Sequence, residues 1–255
     1  MGKKKYLSVK EIFDLAVQSH KNNKLKEAQN YYQKVLKIDS NYGPAHNNLG
    51  AIFKNLEEHH KAKSCFEKAI EINPNYQNAH NNLGTIYNEL EEHQKAKSCF
   101  ERAIEIKPDY VDALNNLGNL SKKIGEPQKA IDLYKKAIKI NPNHSVANNN
   151  LGIIFHELKE YQKANNCYEK AIEINPNYTS AYGNLGLVFF ELKENQKAQK
   201  CFEKVSSIDP TNRDFFGTYG KLLCRMNKHS QGLQLLKENE GIVRFSELTS
   251  EIIKK

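Results

Sequence analysis

The chain has 255 residues, 39% of them hydrophobic and 27% charged, which fits a soluble, folded helical protein. No run of 18 or more apolar residues offers a membrane span, and the five cysteines include no Cys-x-x-Cys pair, so zinc and thiol redox chemistry have no support. A net charge of +8, from 38 basic and 30 acidic side chains, favours acidic partners. The lysines are spread through the chain, however, as on a solvated outer face, and nucleic acid is disfavoured.

Residues 1–8 form a basic N-terminal tail without the apolar stretch of a signal peptide, and a cytoplasmic location is expected. Gly2 invites comparison with myristoylation sites, but Tyr6 stands where that pattern needs Ser or Thr.

Leu49-Gly50, Leu83-Gly84, Leu117-Gly118, Leu151-Gly152 and Leu185-Gly186 then recur at steps of 34 residues, with Tyr219-Gly220 one step later. A step of this size marks a solenoid, in which each unit buries its apolar face only against its neighbours. In the unit 43–76, Ala45, His46, Leu49, Gly50, Ile52, Phe53 and Leu56 follow helical spacing, which predicts a helix over about 44–56. Ala62, Cys65, Phe66, Ala69, Ile70 and Ile72 predict a second over about 60–72, stopped by Pro74. Gly50 and Ala62 are expected where two helix backbones approach closely, with Phe53 and Phe66 filling the space beside them. Cys65, Cys99, Cys167 and Cys201 share one phase with Leu133, which reads as an apolar packing site.

These residues resemble the tetratricopeptide repeat, whose pattern is Trp-x-x-Leu-Gly-x-x-Tyr, Ala-x-x-x-Phe and Pro. Here it reads His46-x-x-Leu49-Gly50-x-x-Phe53, Ala62-x-x-x-Phe66 and Pro74, and four further units repeat it down to Leu185-Gly186, Phe189, Ala198, Phe202 and Pro210. The family tryptophan is replaced by His46, His80, Leu114, Asn148 and Tyr182. The resemblance implies an all-α, right-handed α-solenoid of stacked antiparallel helix pairs. Its units are 9–42, 43–76, 77–110, 111–144, 145–178, 179–212 and a degenerate 213–246, in which Gly232 and Leu236 replace Ala and the aromatic. Residues 247–255 remain as a capping segment. Ile242 to Phe245 alternate like a strand, and Ser246 is placed to cap a last short helix ending near Ile253.

In this family the first helices line a concave face, and their outward positions meet the ligand. The matching positions here are asparagines. Asn47, Asn81, Asn115 and Asn149 form one row, and Asn48, Asn82, Asn116, Asn150 and Asn184 form a second. Each carboxamide both donates and accepts, so a row can bracket an extended peptide backbone. A similar ladder in the superhelical repeats of O-linked N-acetylglucosamine transferase points to the second row. Asn119 and Lys122 extend the expected peptide site, beside Lys54, Asn88, Lys123 and His156, and Leu187 and Phe190 make the face apolar further along. The carboxylate clamp of chaperone-binding repeats needs a basic residue where the first row has Asn, which argues against chaperone-tail capture.

Tyr42, Tyr76, Tyr110 and Tyr178 recur after the proline turns and are read as inter-repeat packing rather than a platform for bases. His46 and His80 are read as packed. His59, His60 and His93 lie along an edge with Glu57, Glu58, Glu91 and Glu92, spread out rather than converging as metal ligands do.

The expected function is therefore a non-catalytic protein–protein interaction scaffold that takes a protein or peptide segment in an Asn-lined groove, with no cofactor, no metal and no membrane partner. The alternative is a substrate-recruiting module of a glycosyltransferase or hydroxylase system whose catalytic domain lies elsewhere, since the ten or so residues after 246 are too few for one.

Overall fold

A computed structural model describes residues 7–240. The expected strand-like stretch 242–245, the helix after Ser246 and residues 1–6 of the tail lie outside them. Two compact units divide the chain between Ile140 and Asn141.

The described part of the first unit is four helix pairs: α1 (Val9–Lys21) with α2 (Leu25–Ile38), α3 (Gly43–Asn55) with α4 (His59–Ile72), α5 (Gln77–Glu89) with α6 (His93–Ile106), and α7 (Val111–Lys123) with α8 (Pro127–Ile140). The second has three: α9 (Ser145–Glu157) with α10 (Tyr161–Ile174), α11 (Thr179–Glu191) with α12 (Asn195–Ile208), and α13 (Phe216–Arg225) with α14 (His229–Glu240). The helices expected over 44–56 and 60–72 are α3 and α4. Within each unit, each pair's second helix also packs against the next pair's first. The chain is an all-α solenoid in architecture.

Local chemistry explains the helix ends. Ser8 caps α1 in a reciprocal box with Glu11, and these bonds hold the Glu11 carboxyl below its usual pKa. Turns between pairs rest on an Asx bond: Asn73 Oδ1 accepts from the Asn75 amide at 3.0 Å, as Asp39 does from Asn41 and Asp209 from Thr211. His46 and His80 are half-buried and staple those turns, each donating Nε2–H over 2.9 Å to the carbonyl of Ser40 and Pro74 respectively.

Within a pair the turn is three residues, and its middle residue is left-handed: Asn23 (φ 58°), Glu57 (59°), Glu91 (60°), Gly125 (81°), Lys159 (60°), Lys193 (61°) and Asn227 (63°). Glycine adopts this backbone without strain and asparagine readily visits it, so the cost of about 1–2 kcal/mol falls on the turns at Glu57, Glu91, Lys159 and Lys193.

The recurrent glycines have one structural cause. A Cβ at Gly50 would lie 2.7 Å from the Phe66 ring, at Gly84 2.7 Å from Phe100, at Gly118 2.6 Å from Tyr134, at Gly152 2.6 Å from Tyr168 and at Gly186 2.8 Å from Phe202. Each first helix thus receives the aromatic of its own second helix against bare backbone. Ala62, Ala96, Ala130, Ala164 and Ala198 are fully buried on the other side of these contacts. The last pair keeps the device with different residues: Leu236 fills the aromatic's place, 2.7 Å from a Cβ at Gly220.

Candidate functional site

The two asparagine rows lie on consecutive positions of the first helices, about 100° apart around the axis, and the structure separates them. The first row is buried: Asn47 is 5% exposed, Asn81 6%, Asn115 7% and Asn149 3%. Asn48, Asn82, Asn116, Asn150 and Asn184 are half-exposed. Sequence reasoning treated both rows as open to ligand, but only the second has that exposure.

The rows are bonded to each other. In the first unit Asn82 Nδ2 donates to Asn47 Oδ1 over 3.0 Å, and Asn116 Nδ2 donates to Asn81 Oδ1 over 3.0 Å. In the second, Asn184 Nδ2 donates to Asn149 Oδ1 over 3.1 Å. Asn47 Nδ2 passes the bond on to Asn48 Oδ1 at 3.1 Å, and Asn48 Nδ2 donates to the Tyr32 hydroxyl at 3.2 Å. A relay Asn82–Asn47–Asn48–Tyr32 therefore links three helix pairs. Bonds in such a chain polarise one another, and they fix which end of each amide is oxygen. Asn82, Asn116 and Asn184 each keep a carboxamide oxygen and a second N–H beyond this inter-row bond.

Neighbouring positions differ from the expectation in detail. Asn119 is half-buried, and its Oδ1 accepts from the Tyr134 hydroxyl at 2.6 Å, so its oxygen braces the repeat interior. Lys122 and Lys54 are half-buried on the same helix face, and Lys123 is exposed with Nζ 3.9 Å from Glu91. Asn88 Oδ1 is shielded from solvent and accepts no hydrogen bond among the described residues. His156 sits 3.2 Å from Glu191. Leu187 and Phe190 are half-buried, and the Arg225 guanidinium lies over the Phe190 ring at 3.9 Å while donating to the Phe190 carbonyl at 3.1 Å. Phe190 is thus tied to the final helix pair.

One feature was not foreseen. The first row breaks at Gly183, because Phe215 comes in from the next pair: a Cβ at Gly183 would lie 2.1 Å from its ring. A glycine in an otherwise unbroken asparagine row was the available signal.

The remaining candidates are structural. Burial pushes the hydroxyls of Tyr76 and Tyr178 upward in pKa and that of Tyr110 to about 12, and Tyr42 packs on Phe13 with ring centres 4.9 Å apart. These tyrosines serve inter-repeat packing. Burial likewise pushes the Cys65 and Cys99 thiols up to about 11 and Cys201 to about 12. His59 pairs with Glu89 at 3.4 Å across the repeat boundary. Among the described residues no three His, Cys, Asp or Glu side chains converge as metal ligands do, and no helix is long and apolar enough to cross a membrane.

No curated protein matches the chain in sequence. Among solved structures, the Cut9–Hcn1 hetero-tetramer of APC/C aligns with a TM-score of 0.77 at 20% identity, over 86% of this chain and 42% of that chain. The chain therefore spans less than half of that relative's length. PilF of Pseudomonas aeruginosa aligns at 0.73 and 20% identity, over 82% of this chain and 97% of that chain. YrrB, described as a repeat protein with an unusual peptide-binding site, aligns at 0.54 and 20% identity, over 77% of this chain and 97% of that chain. Tetratricopeptide repeats are matched over residues 42–109, 75–143, 111–177 and 145–211, with a further match over 14–42. These matches cover well over half of the sequence, and the chain belongs to the tetratricopeptide repeat family.

Proposed function

We propose that this chain is a non-catalytic interaction scaffold whose first unit holds an extended peptide segment of a partner protein along Asn48, Asn82 and Asn116, with Asn150 and Asn184 offering the same chemistry in the second unit. The observation that carries the reading is the inter-row bond. Within each unit it fixes the half-exposed carboxamides, Asn82 and Asn116 in the first and Asn184 in the second, before any ligand arrives. Preorganised donors and acceptors lose little freedom on binding. An extended backbone offers alternating N–H and C=O groups that such amides complement. Recognition of backbone rather than side chains accepts many sequences, and Leu187 then adds apolar selectivity within the second unit.

A random peptide library selected on the chain tests this. Selected peptides should bind the Asn82→Ala/Asn116→Ala/Asn150→Ala variant at least about tenfold more weakly, since each lost hydrogen bond contributes ~0.5–1.5 kcal/mol. The triple change also removes bonds to the first row, so Asn47→Ala/Asn81→Ala/Asn149→Ala is the control: it breaks these braces from the other side and leaves the second row in place. If both variants bind the selected peptides like the parent, or if only the control loses binding, the reading fails.

A further inference from the structure

Two first helices of the second unit carry three kinds of side chain in file. Asn150, Ile153 and Glu157 lie on one face of α9, and Asn184, Leu187 and Glu191 hold the same places on α11. Half-exposed amides come first, half-buried aliphatics follow one turn on, and exposed carboxylates stand one turn beyond. The two helices touch, so each kind forms a short row across them. On α13 the places of the aliphatic and the carboxylate are taken by Lys221 and Arg225, so the pattern is confined to two repeats. In the first unit the aliphatic place holds Ala51, Thr85 and Asn119, and the pattern is absent.

We infer that this strip, on the peptide-binding reading above, selects a partner segment with lysine or arginine at alternate positions. The amides hold the backbone, the aliphatic stems lie over Ile153 and Leu187, and the cationic heads meet Glu157 and Glu191. Long basic side chains bury their stems on apolar surface while keeping the charge in water. From Asn150 to Glu157 the helix rises about 10 Å, which such a side chain spans when the glutamate leans back toward the helix N-terminus. Same-side residues of an extended chain recur about every 6.6–6.8 Å, close to the roughly 8–10 Å between packed helices. Two basic residues two positions apart therefore serve the two repeats.

The apolar row is kept against the interest of the fold. One repeat earlier, Tyr134 donates its hydroxyl hydrogen to Asn119 at 2.6 Å. Ile153 stands in the place of Asn119. The other route is closed as well: Asn48 donates to Tyr32 from the following pair, but Asn184 in the matching place donates to Asn149. The Tyr168 hydroxyl is thus buried with no hydrogen-bond partner among the described residues. Ile153 is itself only half-buried, so the core regains little from it. The carboxylates, too, run against the chain's net charge of +8. The Glu191 side chain is 45% exposed, and the groups beside it, the His156 ring at 3.2 Å and the Tyr161 hydroxyl, carry no permanent positive charge.

The test sorts peptides selected from a random library on the full chain by their response to Asn184→Ala: those it weakens occupy the second unit. They should carry lysine or arginine at two positions two residues apart. Glu157→Gln/Glu191→Gln should weaken their binding about fivefold at low salt, and less as salt is raised. Ile153→Asn/Leu187→Asn should weaken it about tenfold by removing the bed for the stems. Ile153→Asn alone should melt no lower than the parent, because it restores a partner for Tyr168; circular dichroism reads the melting and checks that each variant folds. If Asn184→Ala weakens no selected peptide, the peptide-binding reading fails in the second unit and this inference falls with it. If such peptides exist but carry an apolar or acidic pair, if they bind either double variant like the parent, or if Ile153→Asn melts well below the parent, the inference alone is overturned.

Discussion

Asn82 donates its side-chain N–H to the carboxamide oxygen of Asn47, 3.0 Å away and one repeat back. Asn47 is 5% exposed, so water does not replace that bond if it is removed. Asn47→Ala should therefore lower stability by about 1–3 kcal/mol, the cost of disrupting a buried polar pair. Thermal unfolding monitored by circular dichroism measures it, with the exposed Asn55→Ala as a variant expected to change little. Equal melting temperatures for the two would contradict the bracing role.

Two tyrosines at the same place in successive pairs should respond in opposite directions to loss of their hydroxyls. Tyr134 donates to Asn119 at 2.6 Å. Tyr168 is fully buried and its hydroxyl has no hydrogen-bond partner among the described residues, because Ile153 stands where Asn119 stands one repeat earlier. Tyr134→Phe should cost about 1 kcal/mol and Tyr168→Phe should be neutral or stabilising. Chemical denaturation curves for both variants give the comparison; matching losses would refute it.

Gly118 tests the glycine–aromatic contact. Alanine normally favours a helix interior by about 0.5–1 kcal/mol over glycine. Here its Cβ would lie 2.6 Å from the Tyr134 ring, which is fully buried. Overpacking of about 1–3 kcal/mol should outweigh the propensity gain, so Gly118→Ala should melt lower than the parent and Gly118→Leu lower still. A rise in melting temperature for the alanine variant would show that the ring moves aside freely.

Burial raises the Cys65 and Cys99 thiols from about 9.0 to about 11. The thiolate is the reactive form, so alkylation of the folded chain at pH 8 should be much slower than in denaturant. Linkage has the same origin: a raised folded value favours the neutral form, so its stabilisation is full below pH 9 and declines as pH rises toward 11. Denaturation midpoints across that window, for the parent and for Cys65→Ala/Cys99→Ala, should show a steeper decline in the parent.

The helix pairs and the glycine contacts were legible because they depend on residues within one unit. Leu49-Gly50 and Phe66 recur in phase, and spacing alone places them on facing helices. The two asparagine rows were not separable in this way. Asn47 and Asn48 are adjacent, chemically identical and both polar, and which of them turns toward the next repeat is set by the rotation between repeats. No single unit encodes that angle. Phe215 was hidden for a similar reason: it belongs to a seven-residue connection between α12 and α13, outside the 34-residue phase, and reaches back to Gly183. Leu236 was read as a lost aromatic, whereas its volume against Gly220 preserves the same contact in aliphatic form.

Where Phe215 fills the gap at Gly183, the amide track comes to a stop. A first-row oxygen is missing there, and the next second-row position is Thr218, whose side chain is too short and of the wrong kind to repeat the Asn184–Asn149 bond. On the proposed reading, the second unit would act as a ruler with a fixed zero mark: a peptide laid along it would be counted off from one end, and the count would close at an aromatic plug.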